Sequence, residues 1–245
     1  ERIGVAKATN TVEYAFLEHC LREDLNQTAR RTMAVLRPVR LTVTNYPEGQ
    51  SELVTVENNP MDPSAGVREI SFSRHLWIEA EDFLETPVPK YKRLYPDGPE
   101  CRLKGAYLIR CTGCVKDADG NVVEVLCEYD PDSRGGDPAD GRKVKGATIH
   151  WVDAASAVDA EVRLYDNLFL DADPDAADKN FLESINPQSL TILQNCKVEA
   201  ALEHAVAPAN FQFMRQGYFC LDNQDSKPGH LMFNRSVGLK DSFKK

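Results

Sequence analysis

Residues 210–222 read NFQFMRQGYFCLD. Phe211 and Phe213 alternate with Gln212 and Met214, the two-residue period of a strand with one apolar face. On that period Gln212 lies opposite the phenylalanines, with Arg215 close by. The alternation recurs at Val39, Leu41 and Val43 against Arg40, Thr42 and Thr44. Tyr46-Pro47-Glu48-Gly49 then reads as a turn and Leu53, Val54 and Val56 as a second strand. Residues 58–66, with two prolines and a glycine, read as a loop. Further strands are predicted at 67–73, 75–80, 100–115, 121–129, 144–152, 159–165, 189–195, 210–221 and 230–236. Asp119-Gly120 between alternating runs marks a hairpin, and 130–141, rich in Asp, Gly and Pro, reads as a mobile loop. Helical turns are expected at 178–184 and 200–205. A longer helical period runs only over 10–30, through Val12, Phe16 and Cys20 and through Leu17, Leu21 and Leu25, with Asn10 and Glu13 as its capping box. Many short strands behind a short helical segment predict a mainly β chain built as barrels.

The 245 residues, 42% hydrophobic and 27% charged, suffice for one large domain or two small ones. No apolar run approaches the ~20 residues of a membrane span. The opening ERIGVAKATN is polar and lacks both Met and the apolar core of a secretory signal, so the chain is expected to be a piece of a longer protein. Seven scattered cysteines, an odd number, suggest a reducing cytoplasm and not a disulfide framework. The net charge is −9. Acids concentrate at 117–140 and 166–183, bases at 30–40, 90–104, 142–145 and 235–245. A field segregated in this way can hold RNA on one face, since binding follows the local patch and not the sum. It can equally be a solvated surface with no partner.

Cys111-x-x-Cys114 is the obvious metal suspect, but structural zinc takes four ligands and no second pair exists. No metal is expected. No pair of carboxylates has a spacing that singles it out for acid–base work, and the Asn26-Gln27-Thr28 and Asn234-Arg235-Ser236 sequons read as chance. Cations beside aromatics carry more information. Arg31 follows the predicted helix. Lys92 and Arg93 follow Tyr91, Arg102 and Lys104 alternate near Tyr107, and Gln212 and Arg215 flank Phe213. Arg offers a planar fork, and Gln a donor and an acceptor together, which suits an unstacked uracil edge. The segment DPADGRKVKGATIHWV at 137–152 has the same mixture of cations and aromatics.

Both signature segments resemble the C-terminal half of glutaminyl-tRNA synthetase, the part that reads the anticodon. The resemblance extends to CLREDLNQTARRTMAVLRPVRLTVTNYPEG at 20–49, YKRL at 91–94, VDAEVRLYDNLF at 158–169 and FNRSVGLKD at 233–241. It implies two antiparallel barrels, the distal one inserted into the proximal one. Residues 1–33 would be the tail of a helical subdomain, 34–75 with 155–245 the proximal barrel, and 76–154 the distal barrel. It also implies that Arg31, Gln212 and Arg215 hold the middle anticodon uridine, Lys92 and Arg93 the third base, and Arg102 and Lys104 the first. Lys104 stands where some relatives have Arg, and the 95–101 turn is one residue longer than in some relatives. Enzymes of this family activate glutamine with ATP and magnesium on a separate Rossmann-type domain bearing HIGH-like and KMSKS-like motifs. Neither motif occurs here. The chain alone is therefore expected to form no aminoacyl adenylate and to need no cofactor. It would partner glutamine tRNA and the catalytic domain of its own protein, as a cytoplasmic monomer. Two alternatives stay open: the related archaeal and eukaryotic glutamyl-tRNA synthetases, and a protein-binding β-module with no RNA role.

Overall fold

In the computed structural model, Lys7, 13–171, 173–174 and 180–240 are the described residues. Helix α1 spans Tyr14–Thr28 and begins at an N-cap Glu13 that makes no side-chain cap; Asn10 of the expected capping box and Val12 of the expected apolar stripe lie outside the described residues. Among the described residues sixteen strands follow. They are β1 Arg30–Thr32, β2 Ala34–Val35, β3 Pro38–Val43, β4 Ser51–Glu57, β5 Val67–Ser73 and β6 His75–Glu79, then β7 Cys101–Leu103, β8 Leu108–Lys116, β9 Val122–Tyr129, β10 Thr148–Ile149 and β11 Val152–Asp153. The last five are β12 Val158–Tyr165, β13 Leu190–Val198, β14 Asn210–Phe213, β15 Gly217–Leu221 and β16 Leu231–Val237.

The first sheet runs β1-β14-β15-β16-β12-β13-β2. Its edge strands β1 and β2 are separated only by Met33, so the chain itself bridges the edges and the sheet forms a nearly closed barrel. The second sheet runs β10-β7-β8-β9-β3-β6-β11 and curls without a closing ladder. Strands β4 and β5 form a separate hairpin. The sheets are mixed, not antiparallel as expected: β1 with β14, β12 with β16, β3 with β9 and β7 with β10 pair in parallel. Strand β3, expected with the flanking barrel, pairs with β6 and β9 in the second sheet. The hairpin likewise contributes Val54, Val56 and Phe72 to the second core.

Two cores result. Phe213, Phe219 and Phe233 centre the first, with Phe213 stacked on Phe219 at 4.4 Å. Phe72 and Trp151, edge to face at 5.3 Å, lie in the second. Burying such a ring is worth roughly 1.5–3 kcal/mol relative to leaving it exposed. Residues 33–36, Met-Ala-Val-Leu, run between the cores: Met33 and Val35 enter the second, Ala34 and Leu36 the first. A strand buried on both faces reads as an uninterrupted apolar run. Helix α1 buries little by comparison. Leu25 and Leu21 pack on Tyr218 and Val237, while Leu17 of the expected stripe is exposed.

Two predicted strands are hairpins. The run at 100–115 breaks at Lys104–Tyr107, where Gly105 has φ +73° and a Cβ would meet Val56 Cγ1 at 2.5 Å. The run at 210–221 breaks at 214–216, where Arg215 takes a left-handed φ of 67°. The 144–152 run yields only the two short strands β10 and β11. The loop at 130–141 is pinned, not free: Arg142 binds Glu100, Asp130 and Asp140, and the buried Ser133 hydroxyl accepts from Leu108 N at 2.9 Å. Hydrogen bonds donated to these carboxylates push the Arg142 pKa further up, so this base of the 142–145 segment is locally neutralised.

Candidate nucleic-acid interface

The predicted residues fall into three stations. At the first, the parallel pairing of β1 with β14 sets Arg31 directly beside Gln212, and β14 with β15 sets Gln212 beside Tyr218. Gln212 and Tyr218, with Asn26, Arg22 and His19 of α1, line a cavity of about 350 Å³. Among the described residues no hydrogen bond engages the Gln212 amide, so its donor and acceptor are available to a ligand. Arg31, in contrast, is 4% exposed. Its guanidinium donates to Ala29 O at 2.8 Å, Asn26 O at 2.7 Å and Asn26 Oδ1 at 2.8 Å, satisfying carbonyls at the end of α1. Burial lowers its pKa. Tyr218 OH also donates to Asn26 Oδ1, at 3.2 Å. The Asn26 oxygen is thereby committed as acceptor, and its NH₂ group remains as a donor at the cavity. Asn26 entered the sequence analysis only within a sequon read as chance, and not as a site residue, because it carries no charge and lies in a helical stretch.

At the second station, Arg215 is separated from Gln212 by the turn and binds Asp82 through both oxygens, at 2.6 and 2.7 Å. Arg93 approaches the same carboxylate at 3.1 Å and Glu81 at 3.2 Å. Arg215 Nη1 lies 3.3 Å from His150 Nδ1. Glu79 Oε1, 3.5 Å from His150 Nε2, accepts from Gln216 Nε2 and Leu36 N, and Glu79 Oε2 accepts from Arg37 N. This polar seam joins the two sheets.

The third station is the β7–β10 edge. Ala147 N donates to Lys92 O, Arg102 N to Ala147 O and Lys104 N to Ile149 O, drawing Lys92, Arg102, Lys104 and Lys145 together. Arg102 turns its fork into the neighbouring loop, onto Gly136 O at 2.7 Å and Asp137 at 3.1 Å. Among the described residues no ion pair holds Lys92, Lys104 or Lys145, so these are the free cations of the edge.

The aromatic neighbours differ from expectation. Phe213 is fully buried, Trp151 is 1% exposed, and Tyr107 is buried with its hydroxyl donating to Glu52. They are core residues, because alternation in a strand does not reveal which face is covered. At the predicted cations the partly exposed rings are Tyr91 and Tyr95, 6.3 Å apart; elsewhere Lys197 lies over the half-buried Trp77 ring, 5.4 Å from its centroid. Cys111 pairs across the strands with Cys127, not with Cys114, and among the described residues no three metal-ligating groups converge. No described helix is long and apolar enough to cross a membrane.

Two family models match, both described as the anticodon-binding domain of class I tRNA synthetases (E and Q). One covers residues 29–130 and the other 148–222, together most of the chain. Among curated relatives, the glutamine–tRNA ligase of Nitrobacter winogradskyi is 54% identical over 245 residues. That of Bradyrhizobium diazoefficiens is 51% identical over 245 residues and that of Clostridium kluyveri 51% over 243. These alignments cover 99–100% of this chain and 43% of each relative, so the chain spans less than half of their length. The matched region is the one the family models describe as anticodon-binding, and on these matches the chain belongs to the class I tRNA synthetase (E and Q) anticodon-binding family, in its glutamine–tRNA ligase branch.

Proposed function

We propose that the chain binds the anticodon loop of glutamine tRNA and discriminates it by its unstacked bases. The observation that carries this reading is the in-register pair Arg31–Gln212, with the Gln212 amide facing an open cavity. Gln212 reads the middle uridine there, backed by Arg31, which fixes Asn26, while Arg215 approaches from the adjoining turn. Lys92 and Arg93 serve the third base, and Arg102 and Lys104 the first; in each pair the arginine meets the base edge and the lysine the phosphate of the same nucleotide. On this reading the curled sheets act as two barrels, the second inserted into the first. Glutamine, ATP and magnesium bind in the part of the relatives that this chain does not span. The whole protein works in the cytoplasm, as a monomer.

Binding of glutamine tRNA, glutamate tRNA and an unrelated tRNA to the chain tests the reading. Glutamine tRNA is expected to bind tightest. A preference for glutamate tRNA would point to the sister branch, and no binding to a protein-docking module. Because Lys92, Lys104 and Lys145 supply few phosphate contacts, affinity should fall with salt at a slope of roughly 0.7–0.9 per contact in log–log units; an affinity indifferent to salt would count against the basic edge. Gln212→Ala should cost on the order of 1–3 kcal/mol of discrimination at the middle base. Lys92→Ala should weaken all tRNAs about equally, since a point charge suits a phosphate better than a base edge. An equal loss for cognate and middle-base variants in Gln212→Ala would make Gln212 structural.

A further inference from the structure

We propose that Asp82 is a positioning residue that makes recognition of the middle and third anticodon bases interdependent, an inference that rests on the anticodon-binding reading above. Asp82 ends the short 3-10 turn at Ala80–Asp82, and its side chain is completely buried. The carboxylate serves two arginines from different sheets. Arg215, from the β14–β15 turn of the first, binds both oxygens. Arg93, from the loop between β6 and β7 of the second, reaches Oδ1, the oxygen that also accepts from Arg215 Nη2.

At the Asp82 carboxylate one negative charge thus faces two positive ones, with Glu79 and Glu81 acting on Arg215 from farther away. Arg93 has one other carboxylate, Glu81, but that partner is 68% exposed and so contributes little. The side chains of Arg93 and Arg215 remain 33% and 27% exposed, so neither is sealed off from a ligand. The backbone reinforces the arrangement. Leu94 N donates to Asp82 O at 3.0 Å, which clamps the residue after Arg93, while Arg215 sits at a left-handed φ that a non-glycine residue adopts only when its surroundings hold it there.

The consequence follows from the shared oxygen. When an RNA acceptor draws one guanidinium outward, that guanidinium loosens its hold on Oδ1. The other arginine then gains the carboxylate and is less available to its own base. A single element biased from two sites is the physical requirement for coupling. The sign is antagonistic: losing one base contact leaves the remaining one stronger.

The test is a cycle of dissociation constants for the 245-residue chain with four anticodon-arm RNA hairpins: cognate, middle base changed, third base changed, and both changed. A fifth hairpin, changed at the first base, is the reference. For the unmodified chain the two penalties should fail to multiply, departing from their product by about fivefold or more. In Asp82→Asn, which keeps the volume but removes the charge, they should multiply to within about twofold, with the first-base penalty unchanged. Penalties that multiply in the unmodified chain, or an equal departure in Asp82→Asn, would overturn the coupling while leaving anticodon recognition intact. Indifference of the unmodified chain to every base change would instead overturn the anticodon-binding reading itself. Should Asp82→Asn lose the native circular dichroism spectrum, Arg93→Met takes its place, because it removes the charge that shares Oδ1 with Arg215. The departure should again vanish, and its persistence would overturn the proposal.

Discussion

Replacing Arg68 by methionine is expected to lower the unfolding free energy by about 3–5 kcal/mol. Arg68, on β5, donates to both oxygens of Glu199 at 2.6 and 2.7 Å and to Glu57 O at 3.0 Å. Glu199 follows β13 of the first sheet, and its Oε1 also accepts from Met33 N at 2.6 Å. One ion pair therefore fastens the hairpin to the first barrel and holds the residue that bridges β1 and β2. The side chains are 7% and 4% exposed, so water compensates neither charge once its partner is gone. Burying an uncompensated carboxylate is the dominant cost, larger than the net worth of the intact pair.

That distinction is measurable. In urea denaturation, Arg68→Met should lose most of the stability and the double replacement Arg68→Met/Glu199→Met should recover much of it, since no buried charge is then left unpaired. The recovery should be incomplete, because Met33 N loses its acceptor in the double variant. A loss below about 1 kcal/mol in Arg68→Met would show that the pair is hydrated and weak. In thermal melts the single variant should fall by roughly 6–20 °C, taking about 2–4 °C per kcal/mol for a chain of this size.

Local signals in the chain fared well wherever structure is decided locally. The alternation of Val39, Leu41 and Val43 became β3, and Asp119-Gly120 turns β8 into β9, with Gly120 at φ 87° and its N–H on Asp117 O. Two turns were hidden. Gly105 sits between strand-like flanks, and the left-handed residue in the 214–216 turn is Arg215, which no turn rule singles out. The assignment of β3 to the second sheet was also illegible, because register and partner are set by burial against β6 and β9 and not by β3's own pattern. At the site, the cations are visible in the chain but their partners are not. Asp82 lies 133 residues from Arg215, and nothing in Glu81-Asp82-Phe83 marks a buried carboxylate.

Glu79→Gln is expected to cost about 3–5 kcal/mol and to remove part of the chain's acid sensitivity. Glu79 is 2% exposed and receives Leu36 N at 2.7 Å, Arg37 N at 3.0 Å and Gln216 Nε2 at 2.8 Å. Glutamine in its place offers one acceptor oxygen and adds two donors, so at least one of these N–H groups loses its partner and a new donor is buried beside them. Burial pushes the Glu79 carboxyl up, but the nearby His150 ring and the amides of Leu36 and Arg37 outweigh it, and its pKa lies below the ordinary value. A carboxyl with a depressed folded pKa stabilises fully above its unfolded value, about 4.3, and loses that contribution as pH falls through the folded value. Urea midpoints followed downward from pH 6 should therefore drop less steeply below about pH 4 in Glu79→Gln than in the unmodified chain. Parallel curves would mean that the carboxyl titrates alike in the folded and unfolded states. Because Glu79 backs His150, which contacts Arg215, the variant should also weaken RNA binding at the middle base, while the Lys92–Lys104 edge, which shares no hydrogen bond with Glu79, keeps its contribution.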